Sequence, residues 1–327
     1  MRFTCMIVLK LEAHEGNPRN SEGAFAALKD GRIMFVYSRF YGEDWNDNGQ
    51  ADLVARYSSD GGKSWSSEDR LIIRNSCAEN VMSVSLLRLH SGRLAMVYLE
   101  KESVFLCRPV IRFSDDEGEH WSEPRLCIDT PGYFVVNNDR LVQLKNGRLI
   151  IPVARHPHKD PKNLTPNADI MFYYSDDDGY TWKRSRPLPP PEDNPDAVMQ
   201  EPGVIELNDG TLWAWVRTEM GSQYVSFSKD GGETWDTAKP SVFHSPCSPM
   251  SVKRNAKGEL NAVWNDISPR WKLGEATEES WGRTPLVLAK SKDDGKTWDS
   301  FKLIEADPTK GYCYIAIHFI NDQVLLS

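Results

Sequence analysis

One eight-residue phrase occurs five times, and it constrains the fold more than any other feature of the chain. The first copy is Ser58-Ser59-Asp60-Gly61-Gly62-Lys63-Ser64-Trp65, and the pattern Ser-x-Asp-x-Gly-x-x-Trp returns at 114–121, 175–182, 228–235 and 291–298. Its tryptophans fall at 65, 121, 182, 235 and 298. A repeat of this period with strand-like flanks reads as a propeller or array, in which each unit buries its faces against its neighbours. The phrase itself is turn chemistry. Glycine tolerates positive φ, the Asp and Ser side chains bond nearby backbone N–H groups, and the Trp anchors the turn to adjacent strands. The copies therefore read as structural turns at the edges of sheets, against a rival reading as carbohydrate or calcium sites.

A second phrase lies between the turns: an apolar run, then Leu-x-x-Gly-x-Leu or a near match, then another apolar run. It occupies 23–36, 84–98, 140–153 and 203–216, with weaker copies at 250–264 and 315–326. Each copy reads as a β-hairpin with a Gly-containing turn. Six hairpins and five edge turns imply an all-β, six-bladed propeller with about four strands per blade. The repeat runs through most of the 327 residues, so residues 1–327 are expected to form a single domain. The last hairpin ends at the chain terminus. Residues 1–11 are expected to add a strand to the sixth blade and remove an exposed edge, unless further C-terminal residues do so.

Composition excludes several classes. Charged residues make up 26% and hydrophobic residues 40%, a soluble globular profile. A formal charge of −8 argues against nucleic acid as a partner, although a few local arginines can still bind an anion. The cysteines at 5, 77, 107, 127, 247 and 313 form no Cys-x-x-Cys pair, so no zinc knuckle or redox motif is expected and no metal is implied. Scattered free thiols suit a reducing compartment. No run is long enough to span a membrane. The opening ten residues are too short for a signal peptide and read as a strand, which leaves localisation open.

Overlaying the hairpins by their turns puts one residue of each just before its inner strand, at one rim of the central channel. These are Glu22, Ser83, Asn138, Glu201, Ser248 and Tyr314, all polar. A ring of polar side chains at one end of a closed scaffold is the expected place for a site.

These residues resemble the sialidase (neuraminidase) superfamily, whose repeated turn is called the Asp box. The resemblance covers nearly the whole chain, and it specifies fold better than function, because other glycosidases, lyases and non-enzymes carry the same turns. It implies an exo-acting glycoside hydrolase that releases terminal sialic acid from glycans without a cofactor. Sialidases use a tyrosine nucleophile, an exception among glycosidases. An anionic nucleophile would be repelled by the substrate carboxylate, whereas a neutral phenol activated by a glutamate is not. Tyr314 matches that tyrosine, with Tyr312 as the competing choice, and Glu201 matches the glutamate. Arg217 and Arg283 resemble two of the three arginines that grip the carboxylate, since a planar guanidinium pairs bidentately with it. Asp47, in the long polar loop 42–52, matches the acid/base aspartate, with Asp52 also in the expected region. The same loop imitates the start of a calcium-binding loop but has Ala55 where a glutamate is needed.

One departure is substantive. Sialidases begin the first inner strand with an arginine, and this chain has Glu22 in that register. Arg19 or Arg39 could reach inward as substitutes. A Glu22–Asp47 pair could instead activate water and protonate a leaving group, with inversion. Asn138 is a further candidate for sugar hydroxyls, His156 in the cluster 155–160 for substrate contact, and Trp271 for an aromatic wall. The alternatives to a sialidase are another glycosidase or uronic-acid lyase on this scaffold, or a glycan-binding propeller without turnover.

Overall fold

A computed structural model describes residues 5–157 and 166–327. The chain is all-β, and among the described residues the only helical element is the 3-10 turn Glu278–Ser280. Two compact units are formed, one from Met1–Leu141 with Ala316–Ser327 and the other from Val142–Ile315.

In the first unit, strands Asn20–Ala27, Ile33–Phe40, Ala51–Ser58 and Arg70–Ile73 pair in chain order as an antiparallel sheet. Asn80–Arg88, Leu94–Ser103, Leu106–Ser114 and Arg125–Leu126 repeat the arrangement. Ile317–Ile320 and Gln323–Leu326 form a two-stranded hairpin. The second unit repeats the four-strand meander three times, beginning at Val142–Gln143, Met199–Glu206 and Ser251–Arg254. All six hairpins expected from the sequence are therefore paired strands. The outer strands are as short as two residues, which is why no apolar run announced them.

Alternation of side chains gives each sheet two apolar faces. In the first unit one face of the first hairpin (Ala24, Met34, Val36) packs with Leu86, Met96 and Tyr98 of the second. Its other face (Phe25, Phe35, Tyr37) packs with Ala316 and, at the margin, Leu9, Leu11 and Leu325. Leu9 and Leu11 act as single anchors, and residues 5–13 form no strand, contrary to the expectation for this segment. In the second unit Trp213, Trp215, Trp264 and Phe243 form the centre of a cluster bordered by Trp298. Burying aromatic side chains of this size supplies roughly 2–3 kcal/mol each.

The five repeated turns share one hydrogen-bond scheme. The serine hydroxyl donates to the aspartate at 2.7–2.9 Å and accepts the glycine N–H at 2.8–2.9 Å. The aspartate also accepts the backbone N–H four residues after the serine's second neighbour, at Ser64, His120, Thr181, Thr234 and Thr297. The glycine shared by all five turns has φ between 81° and 92°, a region L-residues rarely adopt, which explains why it is fixed.

Candidate functional site

Four of the six rim positions share an unusual backbone. Glu22, Ser83, Glu201 and Tyr314 have φ of 55°, 58°, 46° and 60°. In the third hairpin the left-handed residue is Asp139 (φ 60°), one place after Asn138, and Ser248 does not share the conformation. At three of these positions the hairpin register slips, between Ser21/Ala24, Met82/Ser85 and Gln200/Gly203, so that two residues oppose one. Such bulges re-aim a side chain, and left-handed non-glycine residues held by their surroundings collect at functional sites.

In the second unit this backbone brings Glu201 and Tyr314 together. The Tyr314 hydroxyl donates to Glu201 Oε1 at 2.9 Å, across 113 residues of chain. Arg217 Nη1 donates to Glu201 Oε2 at 2.6 Å and lies 3.5 Å from the Tyr314 oxygen. Arg217 stands opposite Gln200 on the paired strand, which sets it beside the bulge that carries Glu201. Burial opposes charge on Arg217, but the Glu201 carboxylate outweighs it and holds the guanidinium firmly protonated. The guanidinium carbon of Arg283 is 5.7 Å from the Tyr314 ring centroid. Arg283 is partly buried; desolvation opposes its charge, but Cys313 and Tyr314 help to raise it above its usual value.

Asn265, which the sequence did not single out, holds this arrangement. Its buried amide donates to the carbonyls of Arg283 (2.8 Å) and Tyr312 (2.9 Å), fixing the segments before and beside Tyr314. Ser248 orients that amide by donating to Asn265 Oδ1 at 2.6 Å. Tyr312 offers its backbone N–H to the Arg283 carbonyl at 2.8 Å, and it is Tyr314 that meets Glu201. Trp271 donates to Asp266 at 2.8 Å and packs against the apolar cluster of its own sheet.

In the first unit Arg19 joins two carboxylates: Nη1 lies 2.5 Å from Asp47 Oδ1 and Nη2 lies 3.2 Å from Glu22 Oε1. The other oxygen of Glu22 accepts from the Ser83 hydroxyl. Glu22 is almost fully buried, whereas the Asp47 carboxyl is 70% exposed. The backbone behind Asp47 is nevertheless fixed. Its carbonyl accepts from Lys101 Nζ at 2.9 Å and from Asn80 Nδ2 at 2.8 Å, and Lys101 also donates to Asn48 Oδ1 at 2.6 Å. Lys101 is buried within a strand and lies 3.4 Å from Glu79. A lysine flanked by Glu100 and Glu102 reads as a solvated strand end and carries no sequence signal for this role.

Several candidates lie elsewhere. Arg39 sits opposite Asn20, on the face of its strand that carries Tyr37, and its guanidinium lies 3.4 Å from Asp69. Of these two arginines, it is Arg19 that pairs with Glu22 in this structure. Arg39 lines a polar cavity of about 310 Å³ with Tyr37, Arg56 and Asp69, and this cavity includes none of Glu22, Asp47, Glu201 or Tyr314. Asn138 is buried, and its Nδ2 donates to the Gly23 carbonyl at 2.7 Å. Asp52 accepts the Asn75 N–H at 2.7 Å. His156 is buried at the end of strand Leu149–His156, and residues 158–160 of its cluster lie outside the described residues.

Comparison with known proteins gives the same direction. The chain is 25% identical over 225 residues to a sialidase of Bacteroides fragilis (strain YCH46), a match covering 66% of this chain and 38% of that protein. It thus spans well under half the length of that relative. A crystal structure of a protein of unknown function from Dyadobacter fermentans DSM 18053 superposes with a TM-score of 0.74 at 20% identity, covering 96% of this chain and 91% of the other. The Hadza microbial sialidase Hz136 superposes equally well, with a TM-score of 0.74 at 17% identity over 95% of this chain and 63% of its own. At these identities the structural likeness speaks for the fold. The BNR repeat-like domain model matches residues 46–325, and the chain belongs to that family.

Proposed function

We propose that the protein is a six-bladed propeller and an exo-acting glycosidase of the sialidase type, cleaving a terminal acidic sugar from a glycan. The observation that carries this reading is the contact between the Tyr314 hydroxyl and Glu201, with Arg217 on the second carboxylate oxygen. In it, Tyr314 attacks the anomeric carbon as Glu201 takes the phenol proton, the glycosidic C–O bond breaks, and the leaving glycan oxygen takes a proton from the general acid. Arg217, within 3.5 Å of the phenol oxygen, stabilises negative charge as it develops there. Arg217 and Arg283 are the two carboxylate-binding arginines, and Asp47 is assigned the acid/base role on the resemblance alone. The relatives named sialidase support the substrate class.

A fluorogenic sialoside tests the proposal. The wild type should release the fluorophore, and Tyr314→Phe should lower kcat by at least about 10³-fold. A fully active Tyr314→Phe variant would reject the nucleophile. One observation favours a second reading. Glu22 is a buried carboxylate where the resemblance expects an arginine, and it shares Arg19 with Asp47. A like-charged ligand group would meet repulsion of the order of a few kcal/mol there. If the wild type leaves sialosides intact but cleaves aryl uronides, another acidic sugar is the substrate. Binding of glycans without release of any product would identify a binding propeller.

A further inference from the structure

The six cysteines do not share one environment. Cys107 and Cys127 are buried, and burial pushes the Cys107 thiol up to about 12 and that of Cys127 well above the ordinary value. Burial, reinforced by Glu100 and Glu102, pushes Cys77 up to about 12 as well. Cys247 and Cys313 differ. Both are partly exposed, and each receives a guanidinium N–H at 3.2 Å: Arg217 Nε on Cys247 Sγ, and Arg283 Nη1 on Cys313 Sγ. In both pairs the cysteine follows its arginine by 30 residues. Each cysteine also immediately precedes a rim position, Ser248 or Tyr314. The same device is thus built twice, in successive repeats.

A partly exposed sulfur that accepts a guanidinium N–H is open to reagents, and the guanidinium is placed to stabilise negative charge on that sulfur and on oxygens added to it. We infer that Cys247 and Cys313 are a paired modification site, reactive toward peroxides and small electrophiles and held by the arginines of the candidate site. With hydrogen peroxide, the thiolate sulfur attacks one oxygen and the O–O bond breaks. Hydroxide leaves and takes a proton from solvent to form water, and the sulfur, oxidised by two electrons, becomes a sulfenic acid. A second peroxide oxidises it by two further electrons to a sulfinic acid with release of water, and loss of a proton leaves a sulfinate. A sulfinate presents two oxygens to the guanidinium already in contact with the sulfur, as a carboxylate does. Oxidation therefore occupies Arg217 and Arg283 with an internal anion. The consequence for substrate rests on the carboxylate-binding reading of those arginines, whereas the reactivity rests only on the arginine–sulfur geometry.

The test separates the two. Native protein is treated with limiting iodoacetamide at pH 7 and each cysteine is quantified by peptide mass spectrometry. Cys247 and Cys313 should alkylate at least about ten-fold faster than Cys77, Cys107 and Cys127. Arg217→Gln should slow Cys247 several-fold and leave Cys313 unchanged, and Arg283→Gln should do the reverse. Hydrogen peroxide should then place sulfinate on these two residues first. Equal rates for Cys77 and Cys247, or rates insensitive to both arginine substitutions, would overturn the inference whatever the enzyme's substrate. Thermal melts establish that each variant is folded. Where one is not, the ordering of rates in the wild type and the remaining variant decide the outcome.

Discussion

Arg217 and Glu201 leave only 11% and 10% of their side-chain surfaces exposed and face each other at 2.6 Å. Removing the guanidinium strands a carboxylate away from water, which costs about 3–5 kcal/mol in buried pairs. Arg217→Met should therefore lower unfolding stability by about that amount in urea titrations. Adding Glu201→Gln should recover part of it. Equal stability for Arg217→Met and the wild type would mean that the pair is far wetter than its geometry implies. At this scale the sequence was legible in part. Glu201 and Tyr314 could be proposed from the hairpin register, and the sialidase resemblance added Arg217 to them. Arg19 and Arg39 could not be told apart, since one lies just before the first strand and the other within the second, and only packing chooses between them. Lys101, Asn265 and the arginine–thiol pairs gave no local signal, because their partners lie 18 to 54 residues away.

The hairpins turn on small residues where backbone and aromatic rings meet. A β-carbon on Gly203 would lie 2.2 Å from the Trp215 indole, whose Nε1 donates to the Met250 carbonyl at 2.8 Å. Gly23 stands in the same relation to the Phe35 ring, at 2.3 Å. Gly203→Ala must push that indole out of its place or bend the strand beside Glu201, and overpacking of this kind costs about 1–3 kcal/mol. Calorimetry should show a lower Tm for Gly203→Ala. At the exposed Gly210, with open space around the β-carbon but φ of 86°, alanine should cost less, about 1 kcal/mol, from backbone strain alone. The inner hairpins were legible because an apolar run, a Gly turn and a second apolar run specify them locally. The strands that finish each sheet were not, because two-residue strands such as Lys183–Arg184 take their pairing from a neighbour already formed.

Across the whole molecule, the same carboxylate chemistry is repeated in every turn. The Thr181 and Thr297 hydroxyls hold Asp177 and Asp293 down to about 2, and the His120 backbone N–H does so for Asp116. A folded-state value below the unfolded one of about 3.9 gives stability that is fully present above pH 4. It is lost as pH falls through about 2. Thermal melts should thus be flat with respect to these groups from pH 7 to pH 5 and fall steeply between pH 4 and pH 2. Replacing Asp177 with Asn should weaken that dependence. A melting temperature unchanged down to pH 2 would contradict the role of the aspartates. Repetition is also what made the architecture readable, since five copies of one local hydrogen-bond scheme announce themselves without any knowledge of distant contacts.

The left-handed bulges carry a consequence for inheritance. Glutamate, serine, aspartate and tyrosine all occupy equivalent seats, at Glu22, Ser83, Asp139, Glu201 and Tyr314, with nearly the same φ. The main chain thus keeps each seat open irrespective of its tenant. A lineage built on this scaffold can exchange one tenant for another without disturbing the apolar layers behind it. Glu22, where the sialidase resemblance expects an arginine, occupies one of these seats.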